Sequence, residues 1–182
     1  MNRQICGVWR VALLSLGAAV CLGATDPEDE LKSATVLTFI RHAEWRLSAT
    51  GVITVGVIGR PAIVRTLHRT LEGRVANSRT IHVLDVTPVS DLRACHVLYV
   101  ASDNNREVLQ LLAEARAPHA LTIGESHKFL DQGGAVNLLM VDGHMSFEVN
   151  RDALERAGVA ISSTLLRYGQ VTSAGSHPRP PA

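Results

Sequence analysis

The sequence predicts an α/β fold: a three-layer sandwich with a mostly parallel sheet, helices on both faces and one C-terminal antiparallel hairpin. Two observations predict it. Between residues 52 and 123, apolar runs of strand length alternate with amphipathic helical stretches, which is the pattern of successive βαβ units. Further on, Asp142-Gly143 separates two strand-like runs, the signal of a two-residue hairpin turn.

At 182 residues, with 46% hydrophobic and 19% charged residues, the chain is long enough for one domain with a substantial core. Residues 1–24 read as a signal peptide and are set apart from the fold. Arg3 and Arg10 supply its positive start, Val11 to Cys21 its apolar stretch, and the small residues up to Ala24 its cleavage site. The apolar stretch is shorter than the about 20 residues a bilayer span needs. An uncleaved anchor and lipoprotein anchoring at Cys21 are the alternatives; Val20, where lipoprotein signals place a small residue, argues against the second. Cleavage after Ala24 leaves 16 basic and 17 acidic residues, a net charge of −1. That balance gives no electrostatic case for nucleic acid.

The domain is read over residues 25–171. Asp26 caps a helix, Pro27 occupies its first turn, and the acids through Glu30 complement the helix dipole. Leu31, Ala34, Leu37 and Ile40 recur at helical spacing, with Trp45 just beyond. Val52 to Ile58 is a continuous apolar run, suited to a strand covered on both faces. Pro61 to Leu71 is a helix with Ile63, Leu67 and Leu71 on one side. Ile81 to Val86 is a strand, Val89 to Ala94 a short helical segment, and His96 to Ala101 a strand. Asn105 to Arg116 is a helix turning Val108, Leu111 and Leu112 inward, followed by a strand from Ala120 to Ile123. Gly133-Gly134 lead into a strand from Ala135 to Val141, which pairs antiparallel with Met145 to Val149. Asn150 caps a helix that Gly158 ends, and Ser162 or Ser163 begins the last one. From residue 172 the chain is polar and Pro-rich, a tail expected to be disordered.

Chemistry-bearing residues are sparse. The eight histidines are scattered, with no His pair at i, i+4, so no metal is expected. Ser126 stands beside His127 and Glu125, but sequence neighbours seldom converge on one reacting atom, and no nucleophile elbow surrounds them. No phosphate-loop pattern encloses Gly133-Gly134, which read first as a tight turn. No catalytic residue and no cofactor are expected. Glu125 to Gly134 do follow the carboxyl end of a strand, where open α/β sheets form ligand crevices. Glu125, Ser126, His127, Gly133 and Gly134 are therefore candidates for a partner or ligand surface. Trp45 joins them, as core or as an anchor.

Several marks occur in order along the exported chain: Glu44-Trp45, then Val55 to Gly59 (VGVIG), then Arg93 to Val100 (RACHVLYV). Gly133-Gly134 with Val136-Asn137, Phe147 to Asn150, Ala157-Gly158, Ile161 to Ser163 and Leu165-Leu166 follow. Together they resemble the YfiR/HmsC-like family of periplasmic regulators, over residues 28–171. The resemblance implies regulation rather than catalysis: a periplasmic protein that binds and represses an inner-membrane receptor or diguanylate cyclase through its periplasmic domain. Cyclic di-GMP and biofilm formation would fall in consequence. It also implies a homodimer and a response to envelope redox state.

One departure stands out. Relatives often carry a cysteine in the first strand that pairs with the one matching Cys95, and here Gly56 takes its place. With Cys6 and Cys21 removed on export, no disulfide can form within the domain. Cys95 is then either a buried apolar residue or a redox-sensitive thiol.

Overall fold

The computed structural model describes residues 26–45, 51–86, 92–102, 104–115 and 120–172. The export segment with Cys21, part of the Val89 to Ala94 stretch, and residues 173–182 lie outside the described residues. In chain order come α1 (Pro27–His42), β1 (Ala43–Trp45), β2 (Val52–Gly59), α2 (Pro61–Leu71), β3 (Val75–Ala76) and β4 (Arg79–Asp85). A 3-10 turn (Leu92–Ala94) leads into β5 (Val97–Ala101), α3 (Asn105–Ala115), β6 (Leu121–Gly124) and β7 (Val136–Val141). Last are β8 (His144–Asn150), α4 (Arg151–Ala157), β9 (Val159–Ile161), α5 (Ser163–Leu166) and β10 (Gln170–Thr172).

Eight strands form the main sheet in the order β10-β8-β7-β6-β5-β2-β4-β3. Neighbours from β4 through β7 run parallel, while β8 returns antiparallel to β7 across the Asp142-Gly143 turn. Both turn residues have positive φ, 50° and 76°, as a tight hairpin with strand-matching twist requires. The expected mostly parallel sheet with one C-terminal hairpin is thus present.

Side-chain alternation divides the apolar residues between two layers. Ile53, Val55 and Val57 of β2, with Val97 and Tyr99 of β5, face α1 and α2. Leu98 and Val100 point the other way, onto Val108, Leu111 and Leu112 of α3 and onto Phe129. Each fully buried large side chain contributes about 1.5–3 kcal/mol, so both layers are needed to hold the sheet. On the first face Phe39 of α1 meets Phe147 of β8 edge-on, ring centroids 4.9 Å apart.

The caps lie where the sequence places them. Asp26 accepts from the Glu28 N–H at 3.0 Å, Asn150 from the Ala153 N–H at 3.1 Å, and Ser162 from the Thr164 N–H at 3.3 Å. Gly158 ends α4 with φ 63°.

Three features differ from the sequence reading. The buried stripe of α1 is Asp29, Lys32, Ser33, Val36, Phe39 and Ile40, with Leu37 at its edge, whereas Leu31 and Ala34 are exposed. The helix is rotated because charged residues occupy part of its buried side, and an apolar count cannot see them. Trp45, just beyond α1, lies on a strand the sequence reading did not include: β1 pairs with β9 through Ala43↔Ile161 and Trp45↔Val159 in a separate two-stranded sheet. Order also runs one residue into the segment read as tail, since Thr172 ends β10 beside Asn150 of β8. These strands, like β3, have two or three residues, too few for any periodicity to register.

Gly56 lies at a closely packed point of the sheet. A Cβ there would stand 2.7 Å from Cys95 Sγ and 2.9 Å from Val86 Cγ2. Gly56→Ala is expected to destabilise the protein by about 1–3 kcal/mol, as overpacking does in a dense core, read from urea unfolding. A cystine, with its S–S bond of about 2.05 Å, holds each Cβ about 3 Å from the far sulfur. Gly56→Cys should therefore turn the clash into an intramolecular disulfide with Cys95, seen as an oxidised intact mass. An alanine variant of unchanged stability would contradict the packing described.

Candidate functional site

From β2 the chain crosses to β4 on one side, then passes to β5 on the other. The carboxyl ends of β2 and β5 thus form the topological switch point, where open α/β sheets place their crevices. Gly59 brings the two ends together. Its φ of 150° is one that side chains rarely adopt, and a Cβ there would overlap the Cβ of Ala101 and come within 2.8 Å of its carbonyl oxygen.

Charged groups converge above this point. Arg60 follows β2, Glu125 follows β6, and the first turns of α1 bring Glu28, Asp29 and Lys32. The Lys32 ammonium pairs with Glu125 and with Glu28, the latter at 2.7 Å. Arg60 Nη2 donates to Asp29 Oδ1 at 3.1 Å and lies 3.5 Å from Glu125 Oε1. Asp29 is 1% exposed and the Lys32 side chain 7%. Burial by itself pulls the Lys32 pKa down, but the hydrogen bonds it donates to Glu125 and Glu28, together with their negative charges, more than reverse this and raise it. The acidic first turn does more than complement the helix dipole: buried Asp29 pairs with the half-exposed Arg60.

Beneath the charges lies Tyr99, fully buried on β5. Burial, then the nearby carboxylates of Glu125 and Asp29, push its phenol well above its usual pKa, so it stays protonated. Its hydroxyl has no hydrogen-bond partner, and neither does Asp29 Oδ2 or the Oγ of Ser126, the residue after Glu125. These are three of the six buried side-chain polar atoms without a partner among the described residues. Such groups are few in native proteins, and each asks for an explanation.

The remaining sequence candidates are distributed differently. His127 is exposed on the turn after Ser126. Gly134 is buried against Phe129, whose ring fills the space a Cβ at Gly124 or Gly134 would need. Gly133, with φ 98°, borders a cavity of about 260 Å³ between α3 and α4 that Arg156 also lines. Trp45 lies at the opposite end of the sheet from Glu125. Its ring is under the Arg79 guanidinium, 5.1 Å from the centroid, and edge-on to His96 at 6.3 Å. There it lines a polar cavity of about 530 Å³ with Arg41, His42, Glu44, Asn77 and Arg79. Cys95 is buried, 3% exposed, between β2 and the α3 layer. Among the described residues no group of His, Cys, Asp or Glu is arranged to hold a metal ion.

Sequence reasoning missed Asp29, Lys32, Arg60 and Tyr99. A usable signal was present: running the apolar positions Val36, Phe39 and Ile40 backwards at helical spacing places Asp29 and Lys32 on the same face. Arg60, between a strand-ending Gly59 and Pro61, occupies a crevice position by rule.

Fold and site define an open, mostly parallel α/β sandwich whose switch-point crevice is shut by interlocked charges. Comparison with known families is specific: the family described as YfiR/HmsC-like matches residues 29–170, so the chain belongs to it. Among curated proteins none matches. Among solved structures, the chain is similar to a conserved domain protein from Vibrio cholerae O1 biovar El Tor, at 12% identity and a TM-score of 0.53. The match covers 79% of this chain and 60% of that one, and at this identity it speaks for the fold alone.

Two outcomes follow from the charges. Lys32→Met leaves Glu125, 12% exposed, without its buried ammonium and should lower stability by about 3 kcal/mol. Because the folded pKa of Lys32 lies above 10.5, its contribution is complete below that pH and disappears as pH climbs through the folded value. Urea unfolding of the wild type should show this alkaline loss, and the variant should lack it. Tyr99→Phe removes a hydroxyl that makes no bond, so stability should rise by about 1 kcal/mol. A substantial fall instead would mean that the hydroxyl is hydrogen-bonded in solution.

Proposed function

We propose that this protein is a periplasmic regulator that represses a membrane-bound signalling enzyme, a diguanylate cyclase, by binding its periplasmic domain. Family membership across residues 29–170 is the observation that carries this reading. The apolar N-terminal stretch Val11 to Cys21, with small residues up to Ala24, agrees with export. Among the described residues no helix is long and apolar enough to cross a membrane. Repression is a population shift: the regulator binds the inactive state of the cyclase more tightly and holds it there. Cyclic di-GMP and biofilm formation then fall. A homodimer is part of the same proposal, carried over from the family. An intramolecular disulfide switch is not, because Gly56 stands opposite Cys95.

For the partner-facing surface we take the Trp45 end of the sheet. An indole stacked with Arg79 beside a polar hollow is the kind of aromatic and arginine pairing that anchors interfaces. A second reading, a small-ligand module at the Glu125 crevice, is favoured by the unpartnered atoms of Asp29, Tyr99 and Ser126. The two are compatible, since the surfaces lie at opposite ends of the sheet.

Deletion of the gene should raise cellular cyclic di-GMP, and the wild-type protein, but not Trp45→Ala or Arg79→Ala, should restore repression. A pull-down from solubilised membranes should recover a cyclase with the wild type and at least tenfold less with either variant. Unchanged cyclic di-GMP on deletion, with no signalling receptor recovered, would sink the proposal.

A further inference from the structure

The switch-point charges do not cancel. Among the described residues, Glu28, Asp29 and Glu125 pair with Lys32 and Arg60, three carboxylates against two cations, which leaves one negative charge in excess. The groups left unpartnered complement that excess. Asp29 Oδ2 is an acceptor, and the Tyr99 and Ser126 hydroxyls each offer an acceptor lone pair as well as a proton. The hydrogen-bonding species this set lacks is a donor that carries positive charge.

Lys32 shows what such a species looks like here. Its primary ammonium lies between Glu28 and Glu125 with its side chain 7% exposed, so these carboxylates already hold one alkylammonium out of bulk water. Arg60 covers the Asp29 side through a single nitrogen, Nη2, and is half exposed. Its guanidinium is the most exposed cation of the cluster and can swing outward without breaking backbone structure. Asp29 Oδ2 and the Tyr99 hydroxyl, which feels the charges of Asp29 and Glu125, would then form the inner wall of an open crevice, with Ser126 next to Glu125 in the chain.

We infer that the crevice outside β2 and β5 is a closed binding site for a small primary amine. The ammonium would bond to Asp29 Oδ2 with the Tyr99 and Ser126 oxygens as further acceptors, and Arg60 would act as the movable cover. This rests on the small-ligand reading of the Glu125 crevice and adds the ligand's chemical class. The site selects against anions through its excess negative charge. It selects against quaternary ammonium because three acceptors need N–H donors. Bulk is limited by the closeness of Lys32 and Arg60, so the remainder of the ligand lies outside, against Arg60.

The test is an NMR titration of the whole folded protein with methylammonium chloride, tetramethylammonium chloride and sodium acetate at matched ionic strength. Methylammonium alone should give saturable shifts confined to Asp29, Arg60, Tyr99, Glu125 and Ser126. Tyr99→Phe and Ser126→Ala remove hydroxyls that make no bond, so both should keep the wild-type spectrum elsewhere while binding at least fivefold more weakly. Asp29→Asn should abolish the response. Equal response to tetramethylammonium, or undiminished binding in the Tyr99 and Ser126 variants, overturns the amine assignment. If acetate binds at these residues instead, the amine class is wrong and the crevice reading survives. Silence towards all three probes removes both.

Discussion

A buried lysine organises this molecule. With its side chain almost fully out of water, the Lys32 ammonium must meet carboxylates where it lies. Glu28 comes from its own helix, but Glu125 comes from the far side of β5, beyond β6. Asp29, equally buried, makes the same demand of Arg60 at the end of β2. Helix α1 can satisfy both only with its first turns over the carboxyl ends of β2 and β6, in one rotation about its axis. Apolar packing alone would have allowed a neighbouring rotation, because the exposed Leu31 is available as a substitute in the buried stripe.

That placement has consequences along the helix. With its 16 residues rising about 1.5 Å each, α1 spans the sheet from the charged crevice to the strand that carries Trp45. Val36, Phe39 and Ile40 fill the first core layer between the two ends. The candidate ligand crevice and the candidate partner surface are thus joined by one rigid element. Strand β2 does corresponding work inside the sheet. Gly56 lets Cys95 pack against the strand, and Gly59 lets β5 approach closely enough for Tyr99 to lie under the charges. Position 56 thus faces the Cys95 sulfur directly.

Legibility in the sequence followed pattern length. The helices at Pro61 to Leu71 and Asn105 to Ala115 show their inward residues as periodic apolar positions, and the structure buries Ile63, Leu67, Leu71, Val108, Leu111 and Leu112. Caps and turns were equally legible at Asp26, Asn150, Gly158 and Asp142-Gly143, because each depends on side-chain or backbone chemistry within a few residues. The family marks were readable for the same reason, as short ordered motifs. By contrast, β1, β9 and β10 are held by partners distant in sequence, β3 is only two residues long, and none of them carries a signal of its own. Trp45 could be named as noteworthy, but not placed on a strand beside Arg79 and His96.

By itself, then, the sequence determined the α/β class, the order of the long elements, the hairpin, the caps and the membership that points to regulation. All of these rest on interactions between near neighbours or on alternation along a single segment. Only the tertiary structure decided that Glu125 is half of a buried ion pair, that Asp29 and Lys32 face inward, and that the hydroxyls of Tyr99 and Ser126 lack partners. The reason is physical: whether a charge or hydroxyl is satisfied depends on what arrives from elsewhere in the chain. Here those groups come from α1, β2, β5 and β6, meeting 93 residues apart between Lys32 and Glu125.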